Sequence, residues 1–517
     1  MAFGSGAYPY LDKRLMTNTY ILALDQGTSS SRAILVDQTG HLVAQVSQPF
    51  PQHYPQPGWV EHDPYDIWNS QCRSAQQVLR QAGVTPSQVA GMGLTNQRET
   101  TLIWDRASGE PIYPAIVWQC RRTAPLVETL RQQGWGPEIR QRTGLVLDAY
   151  FSATKVQWLL DHIPNARQRA QQGALAFGTV DTWLLYQLSG GQLHCTDASN
   201  ASRTMLYNIH TGEWDADILR ALDIPDSLLP GIRDSSDLLG MSEPALFDGI
   251  ALPIGGVIGD QQGALFGQAC VQPGMVKNTY GTGSFVLMYT GEQPIGPSHG
   301  LLTTIAWRLH GRVSYALEGS VFVTGAAIQW LRDELHLIQS AAESEALAAS
   351  VPDTDGVYLV PAFTGLGAPH WDMYARGTLI GLTRGTNRAH IVRAALEAMA
   401  YQTRDVIECM VEAAGLEVPV VRVDGGASVN NLAMQFQSDL LQLPVQRPRV
   451  VETTALGAAY LAGLAVGYWD HVEQIADHWE VERTYTPQMP AARSQQLYQG
   501  WQEAVRRASG WTMEQDG

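Results

Sequence analysis

The strongest constraint on the fold is an internal repeat. Tyr20-Ile21-Leu22-Ala23-Leu24-Asp25-Gln26-Gly27-Thr28-Ser29 and Val276-Lys277-Asn278-Thr279-Tyr280-Gly281-Thr282-Gly283-Ser284 lie in opposite halves of the chain and read alike, each a strand entering a turn of Gly, Thr and Ser. After the first turn, Ser31 to Val36 and His41 to Val46 are β-rich runs separated by Asp37-Gln38-Thr39-Gly40, which suits a hairpin. The second turn leads into Phe285-Val286-Leu287-Met288-Tyr289. One Gly-Thr turn can arise by chance; two of them, each flanked by strands, predict a duplication. At 517 residues and roughly 150 per domain, the chain has room for two or three domains and for ligand sites between them.

Helical spacing alternates with the strands at Asp66 to Ala82, Thr123 to Arg131, Ala326 to Leu335, Ala389 to Ala413 and Met434 to Leu441, so the class is α/β. Short apolar strands ending in small or acidic residues recur at Val89 to Thr95, Gly256 to Asp260 and Val420 to Gly426, and ligands in α/β folds gather at such ends. The second repeat restarts just after Gly263-Ala264-Leu265-Phe266-Gly267, which predicts domains over 19–267 and 268–517. Residues 1–18 read as a disordered extension. The uncharged stretch Thr453 to Trp469 is interrupted by Gly457, Gly463 and Gly467 and is shorter than the roughly 20 apolar residues of a membrane span, so it reads as a buried helix.

With 34 Lys and Arg against 50 Asp and Glu, the formal charge of −16 disfavours a nucleic-acid partner. The five cysteines are scattered without a C-x-x-C pair, which argues against a disulfide framework or a zinc site and fits a reducing cytoplasm. No signal peptide or membrane insertion is expected.

Gly27-Thr28-Ser29-Ser30-Ser31 offers backbone N–H groups and hydroxyls able to wrap phosphate oxygens, and Arg32 adds a charge. Asp25 at the strand end can hold magnesium, although an Asp there equally suits an ordinary turn. An opposed Gly281-Thr282-Gly283-Ser284 turn could grip the same polyphosphate. Asp424-Gly425-Gly426-Ala427-Ser428-Val429-Asn430-Asn431 ends a strand and opens a helix, letting a base or ribose approach the backbone closely; a plain strand-to-helix turn is the other reading. No G-x-x-x-x-G-K-[ST], H-R-D or post-strand G-x-G-x-x-G motif accompanies these turns.

Thr95-Asn96-Gln97-Arg98-Glu99-Thr100 follows a strand, and its adjacent Arg and Glu can offer a small polyol both donors and acceptors or form a surface ion pair. Asp260-Gln261-Gln262 also follows a strand, where a carboxylate can accept the proton of an attacking hydroxyl or cap a helix. Among the 15 tryptophans only Trp118 stands out as a candidate wall for a substrate.

Together these motifs resemble the FGGY family of carbohydrate kinases, from about Thr19 to Gly500-Trp501. Two long family patterns match: Tyr150-Phe151-Ser152-Ala153-Thr154-Lys155 through His162, and Gly377-Thr378-Leu379-Ile380-Gly381-Leu382 through Glu397. Pro57-Gly58-Trp59-Val60-Glu61-His62-Asp63-Pro64, Thr95 to Thr100 and Gly259 to Gln262 resemble the members that act on glycerol. The resemblance implies two actin-like, ribonuclease-H-like ATPase domains with a cleft between them, and ATP-dependent phosphorylation of glycerol to sn-glycerol 3-phosphate with Mg2+. It also implies a homodimer or homotetramer, and cleft closure that expels water.

On matching positions Arg98, Glu99, Tyr150, Asp260 and Gln261 would hydrogen-bond glycerol, Trp118 and Phe285 would wall its carbon edge, and Asp260 would be the general base. Thr28, Ser29, Ser30, Arg32 and Thr282 would contact phosphates, Gly325 and Gln329 the nucleotide, Gly426 and Asn430 the adenosine, and Asp25 magnesium. Rival readings are a related kinase of a ketopentose, a tetritol or dihydroxyacetone, and a non-catalytic nucleotide-binding protein of the same fold. Some bacterial members bind fructose 1,6-bisphosphate through a loop containing Gly and Arg; the corresponding Pro244 to Pro253 has no Arg or Lys and carries Asp248, which predicts weak or absent inhibition.

Overall fold

The computed structural model describes residues 19–512 except 297 and 299, so the expected disordered extension over 1–18 lies outside the described residues. The apolar run Ile21 to Leu24 is buried and makes β1 (Tyr20–Gln26) an interior strand. It pairs antiparallel with β2 (Ser30–Val36), setting Asp25 opposite Arg32, and β3 (Leu42–Pro49) extends the meander through the Asp37–Gly40 turn. Gly40 there has φ +80° and donates its N–H to the Asp37 carbonyl at 3.0 Å. Parallel to β1 on its other side runs β4 (Val89–Asn96), followed outward by β6 (Pro253–Gly259) and β5 (Ser236–Met241), giving the order β5-β6-β4-β1-β2-β3.

A second sheet repeats this plan. β7 (Val276–Tyr280) pairs antiparallel with β8 (Ser284–Gly291) and parallel with β11 (Val421–Gly425). With β9 (Leu302–Leu309), β10 (Arg312–Val321), β12 (Val445–Pro448) and β13 (Val481–Tyr485) the order is β9-β10-β8-β7-β11-β12-β13. The two Gly-Thr turns thus occupy equivalent places, each after the strand that has an antiparallel and a parallel neighbour.

The helices follow their apolar spacing, with every end within three residues of the expected one: α1 (Pro64–Ala82), α2 (Ala124–Gln132), α5 (Gly325–Asp333), α6 (Arg388–Ala414) and α7 (Asn431–Leu441). Caps set those ends; Asp63 accepts from the Tyr65 N–H at 2.8 Å, and Gly83 closes α1 with φ +65°. α3 (Ser152–His162) carries the Lys155 motif, and α4 (Asp260–Gly267) starts directly after β6. Asp260 therefore opens a helix instead of ending a strand, because extended backbone stops at Gly259.

The uncharged stretch near the C-terminus forms α8 (Thr453–Ala465), buried along almost its whole length. It lies over the first sheet, although it belongs to the second half of the chain. A Cβ on Gly93 of β4 would lie 2.1 Å from the Ala458 carbonyl, and one on Gly457 would lie 2.0 Å from the Gly263 carbonyl of α4. These contacts admit glycine alone; the first lets α8 lie directly on β4, and the second lets α4 and α8 cross backbone to backbone. Ile21, Ala23, Ile258 and Leu265 of the first half share one core with Leu287, Trp307, Ala455 and Leu461 of the second. A chain boundary at 267/268 divides the sheets but not this common core. Among the described residues no helix is long and apolar enough to cross a membrane.

Candidate active site

The first phosphate-type turn is closed by the Gly27 N–H donating to the Ser30 carbonyl at 3.0 Å. Thr28 and Ser29 stand on it and Ser30 opens β2. The Trp118 indole N–H donates to the Thr28 hydroxyl at 3.0 Å, and the Trp118 ring meets Tyr150 edge-on at 5.4 Å. Asp25 faces Arg32 at 3.7 Å, and Arg32 also pairs with Glu452. Burial pushes the Asp25 carboxyl up to about 7; Arg32 opposes the rise, and Asp260 and Glu452 add to it.

The second turn is tied to α5. Gly281 N–H donates to the Gly283 carbonyl at 2.8 Å, Thr324 N–H to the Thr282 carbonyl at 2.9 Å, and Gly325 N–H to the Gly281 carbonyl at 3.1 Å. A Cβ on Gly325 would sit 2.4 Å from that last carbonyl, so glycine is what lets Thr282 and the start of α5 meet. Gln329, one turn beyond Gly325 along α5, is exposed. Gly425 turns the end of β11 with φ +82°, where a Cβ would lie 2.3 Å from the Tyr280 carbonyl, while Gly426 has open space beside it. Asn430 caps α7, its side-chain oxygen accepting from Ala433 N–H at 3.0 Å and its amide donating to Ser344 at 3.3 Å.

Between the turns lies a charged cluster. Arg98 and Glu99 are buried, so a surface ion pair is ruled out. Arg98 Nε lies 3.0 Å from Asp260 Oδ1, which also accepts from the Gln261 N–H at 2.7 Å. Glu99 holds a left-handed backbone, φ +61°, uncommon for a residue with a side chain and costing about 1–3 kcal/mol. Its carbonyl accepts from the hydroxyls of Ser152 and Thr101, each at 3.0 Å, which hold the turn. Lys155 Nζ donates to the Tyr150 carbonyl at 2.5 Å, fixing the neighbouring wall. Burial and then Glu99 push the Tyr150 phenol above its ordinary value, so the hydroxyl keeps its proton. The Phe285 ring centre is 5.8 Å from the Arg98 guanidinium carbon.

Three members of this cluster escaped sequence reasoning. Arg203 Nε donates to Glu99 Oε1 at 2.7 Å, Glu318 accepts from Arg98 and Arg203, and Lys277 Nζ donates to Gln261 Oε1 at 2.5 Å. One signal was available: Glu318 stands alone in the apolar strand sequence Tyr-Ala-Leu-Glu-Gly-Ser, and a charge buried there requires partners.

The structure thus brings together Arg98, Glu99, Asp260, Gln261 and Phe285; Thr28, Trp118 and Tyr150; Asp25 and Arg32; and Thr282 with Gly325. Among the described residues no three His, Cys, Asp or Glu side chains cluster to cage a metal. Magnesium in phosphoryl-transfer sites is held by one or two carboxylates together with substrate phosphates and water, a demand that Asp25, set beside the first turn and in excess negative charge, fits.

Residues 20–267 match the N-terminal domain and residues 276–466 the C-terminal domain of the FGGY family of carbohydrate kinases. A glycerol kinase of Symbiobacterium thermophilum is 60% identical over 499 residues, covering 96% of this chain and 100% of that protein. Glycerol kinase 2 of Thermotoga maritima is 58% identical over 492 residues, covering 95% and 99%. The crystal structure of Plasmodium falciparum glycerol kinase with ADP superposes with a TM-score of 0.89 at 36% identity, covering 95% of this chain and 98% of that one.

Proposed function

The chain belongs to the FGGY family of carbohydrate kinases, and from that premise we propose that it transfers the γ-phosphoryl group of ATP to glycerol, forming sn-glycerol 3-phosphate in glycerol uptake and catabolism. The observation that carries the reading is the 3.0 Å pair of buried Arg98 with partly exposed Asp260, beside Glu99 and close enough to the first phosphate turn for Asp260 to raise the Asp25 pKa.

Glycerol presents three hydroxyls and no charge, so recognition falls to hydrogen bonds. Arg98 donates two Nη1 N–H groups and one Nη2 N–H group to Gln262 and Glu318 and pairs ionically through Nε with Asp260, which leaves one N–H on Nη2 for a hydroxyl. Glu99 meets Arg203 through Oε1, and Oε2 serves as acceptor for a second hydroxyl. Tyr150 donates, Gln261 turns its amide N–H groups to the substrate because Lys277 holds its oxygen, and Trp118 and Phe285 flank the carbons.

Asp260 Oδ1 accepts from the Gln261 N–H and pairs ionically with Arg98 Nε, so Oδ2 accepts the proton of the terminal hydroxyl. As that oxygen attacks the γ-phosphorus, its bond to the bridging oxygen breaks and ADP leaves. Thr28, Ser29, Ser30, Arg32 and Thr282 hold the phosphates, Gly325 and Gln329 the nucleotide, and the opening at Gly426 with Asn430 takes the adenosine. Mg2+, held by Asp25 directly or through water, supplies neutralisation of the phosphate charge.

The test is ADP release from Mg-ATP with glycerol, xylulose, ribulose, erythritol, dihydroxyacetone or no acceptor, for the wild type and Asp260→Asn. Turnover with glycerol alone is expected, falling about 10²–10⁴-fold in the variant while ADP still binds. Turnover with a different acceptor refutes the substrate assignment.

A further inference from the structure

Glu318 lies in β10 with no exposed surface. It comes from the half of the chain opposite to Glu99 and Asp260. Its Oε2 accepts from Arg98 Nη1 at 2.5 Å, and its Oε1 accepts from Arg98 Nη2 at 3.2 Å and Arg203 Nη2 at 2.9 Å. Each guanidinium then reaches a second carboxylate: Arg98 Nε to Asp260 Oδ1 at 3.0 Å, and Arg203 Nε to Glu99 Oε1 at 2.7 Å. The guanidinium is planar and rigid, so fixing one edge fixes the direction of the other. Resting on the kinase reading above, we propose that Glu318 is a positioning residue for the phosphoryl acceptor: by holding Arg98 and Arg203 together it aims the base Asp260 and the hydroxyl acceptor Glu99 without touching substrate itself.

The charges of this layer support the assignment. Arg98 and Arg203 face Glu99 and Glu318, Arg98 also faces Asp260, and Lys277 faces Asp424, Glu318 and Asp260. Burial alone would push the Glu318 carboxyl up, yet Arg203 and Arg98 overrule it and hold it at about 2, so the clamp stays ionised at any working pH. A helix or strand of ordinary packing needs no such arrangement, and an unpaired buried charge is heavily penalised. The two arms therefore serve the groups at their far ends.

The variant Glu318→Gln keeps the shape and one acceptor oxygen but removes the charge that joins the arms. The glycerol KM should rise at least tenfold and kcat fall about a hundredfold, the scale of an ångström misplacement. The KM for Mg-ATP and the affinity for ADP should stay within twofold. Unchanged glycerol kinetics overturn the inference, as does a parallel loss of ADP binding, which would mark a general structural role. Should Glu318→Gln not fold, the double variant Glu318→Gln/Arg203→Gln removes one anion and one cation together and preserves the charge balance. It is expected to keep ADP binding and lose glycerol affinity, and wild-type glycerol kinetics in it overturn the inference. If the wild type prefers another polyol, the substrate assignment alone fails and the same comparison is read with that polyol. A wild type without polyol-stimulated turnover overturns both, before any variant is made.

Discussion

Replacing Gly457 by Ala perturbs the site from beneath. The added methyl would lie 2.0 Å from the carbonyl oxygen of Gly263, 2.7 Å from its carbonyl carbon and 2.9 Å from its Cα. All three are backbone atoms, so no rotamer change relieves the clash. Ordinary contact begins at 3.4 Å, which requires α4 and α8 to separate by about 1.4 Å. Asp260 opens α4 three residues before Gly263, and a shift of that size stretches its 3.0 Å contact to Arg98 past hydrogen-bond length.

Two stability effects oppose each other. Ala in a helix interior is better than Gly by about 1 kcal/mol. Overpacking a core costs about 1–3 kcal/mol, at the upper end where backbone meets backbone. The clash wins, and a net loss of about 1–2 kcal/mol is expected in urea unfolding followed by tryptophan fluorescence. Coupled ADP release at saturating substrates should show kcat down about a hundredfold. Wild-type stability would refute the claim that the crossing is closed to a methyl. Lowered stability with wild-type kcat would refute the transmission from the crossing to Asp260.

A pH effect follows from His62, which is buried and packs perpendicular to the Phe50 ring. Burial, then His53, lower its pKa from the ordinary 6.5 to about 4, so on acidification the unfolded chain takes the proton first. This histidine destabilises the fold progressively as pH falls from 6.5 to 4, by about 3 kcal/mol when complete. The stability difference between wild type and His62→Gln, measured by urea unfolding, should be flat above pH 6.5 and shift against the wild type below it; a flat difference throughout refutes the assignment. Fructose 1,6-bisphosphate added at low concentration should leave glycerol turnover unchanged, since residues 244–253 form a short turn at Pro244–Leu246 with Asp248 at φ +50° and contain no Arg or Lys. Clear inhibition in the same ADP-release assay would show that another part of the surface recognises it.

Everything local was legible in the residue string. The two strand-turn repeats, the hairpin at Asp37–Gly40, the helical spacing of α1 and α6, and the ends of β1 at Asp25-Gln26 and of β6 at Gly259, just before Asp260, depend on neighbours a few positions away, where backbone preference and apolar period act. The buried character of Arg98 and Glu99 was not legible, because an adjacent Arg and Glu look the same on a surface and in a core. Glu318 was harder still: it joins Arg98 across 220 positions of sequence. Nothing in either segment names the other, since a buried charge demands an opposite charge without saying where along the chain it lies. The crossing of α4 and α8 was hidden for a similar reason. The glycines were visible, but only the fold decided that Gly457 must clear the backbone at Gly263. The sequence by itself determined which elements form and which strand ends bear chemistry; tertiary structure decided which charges share a dry layer and how closely two helices approach, because burial and steric exclusion act between residues that only folding brings together.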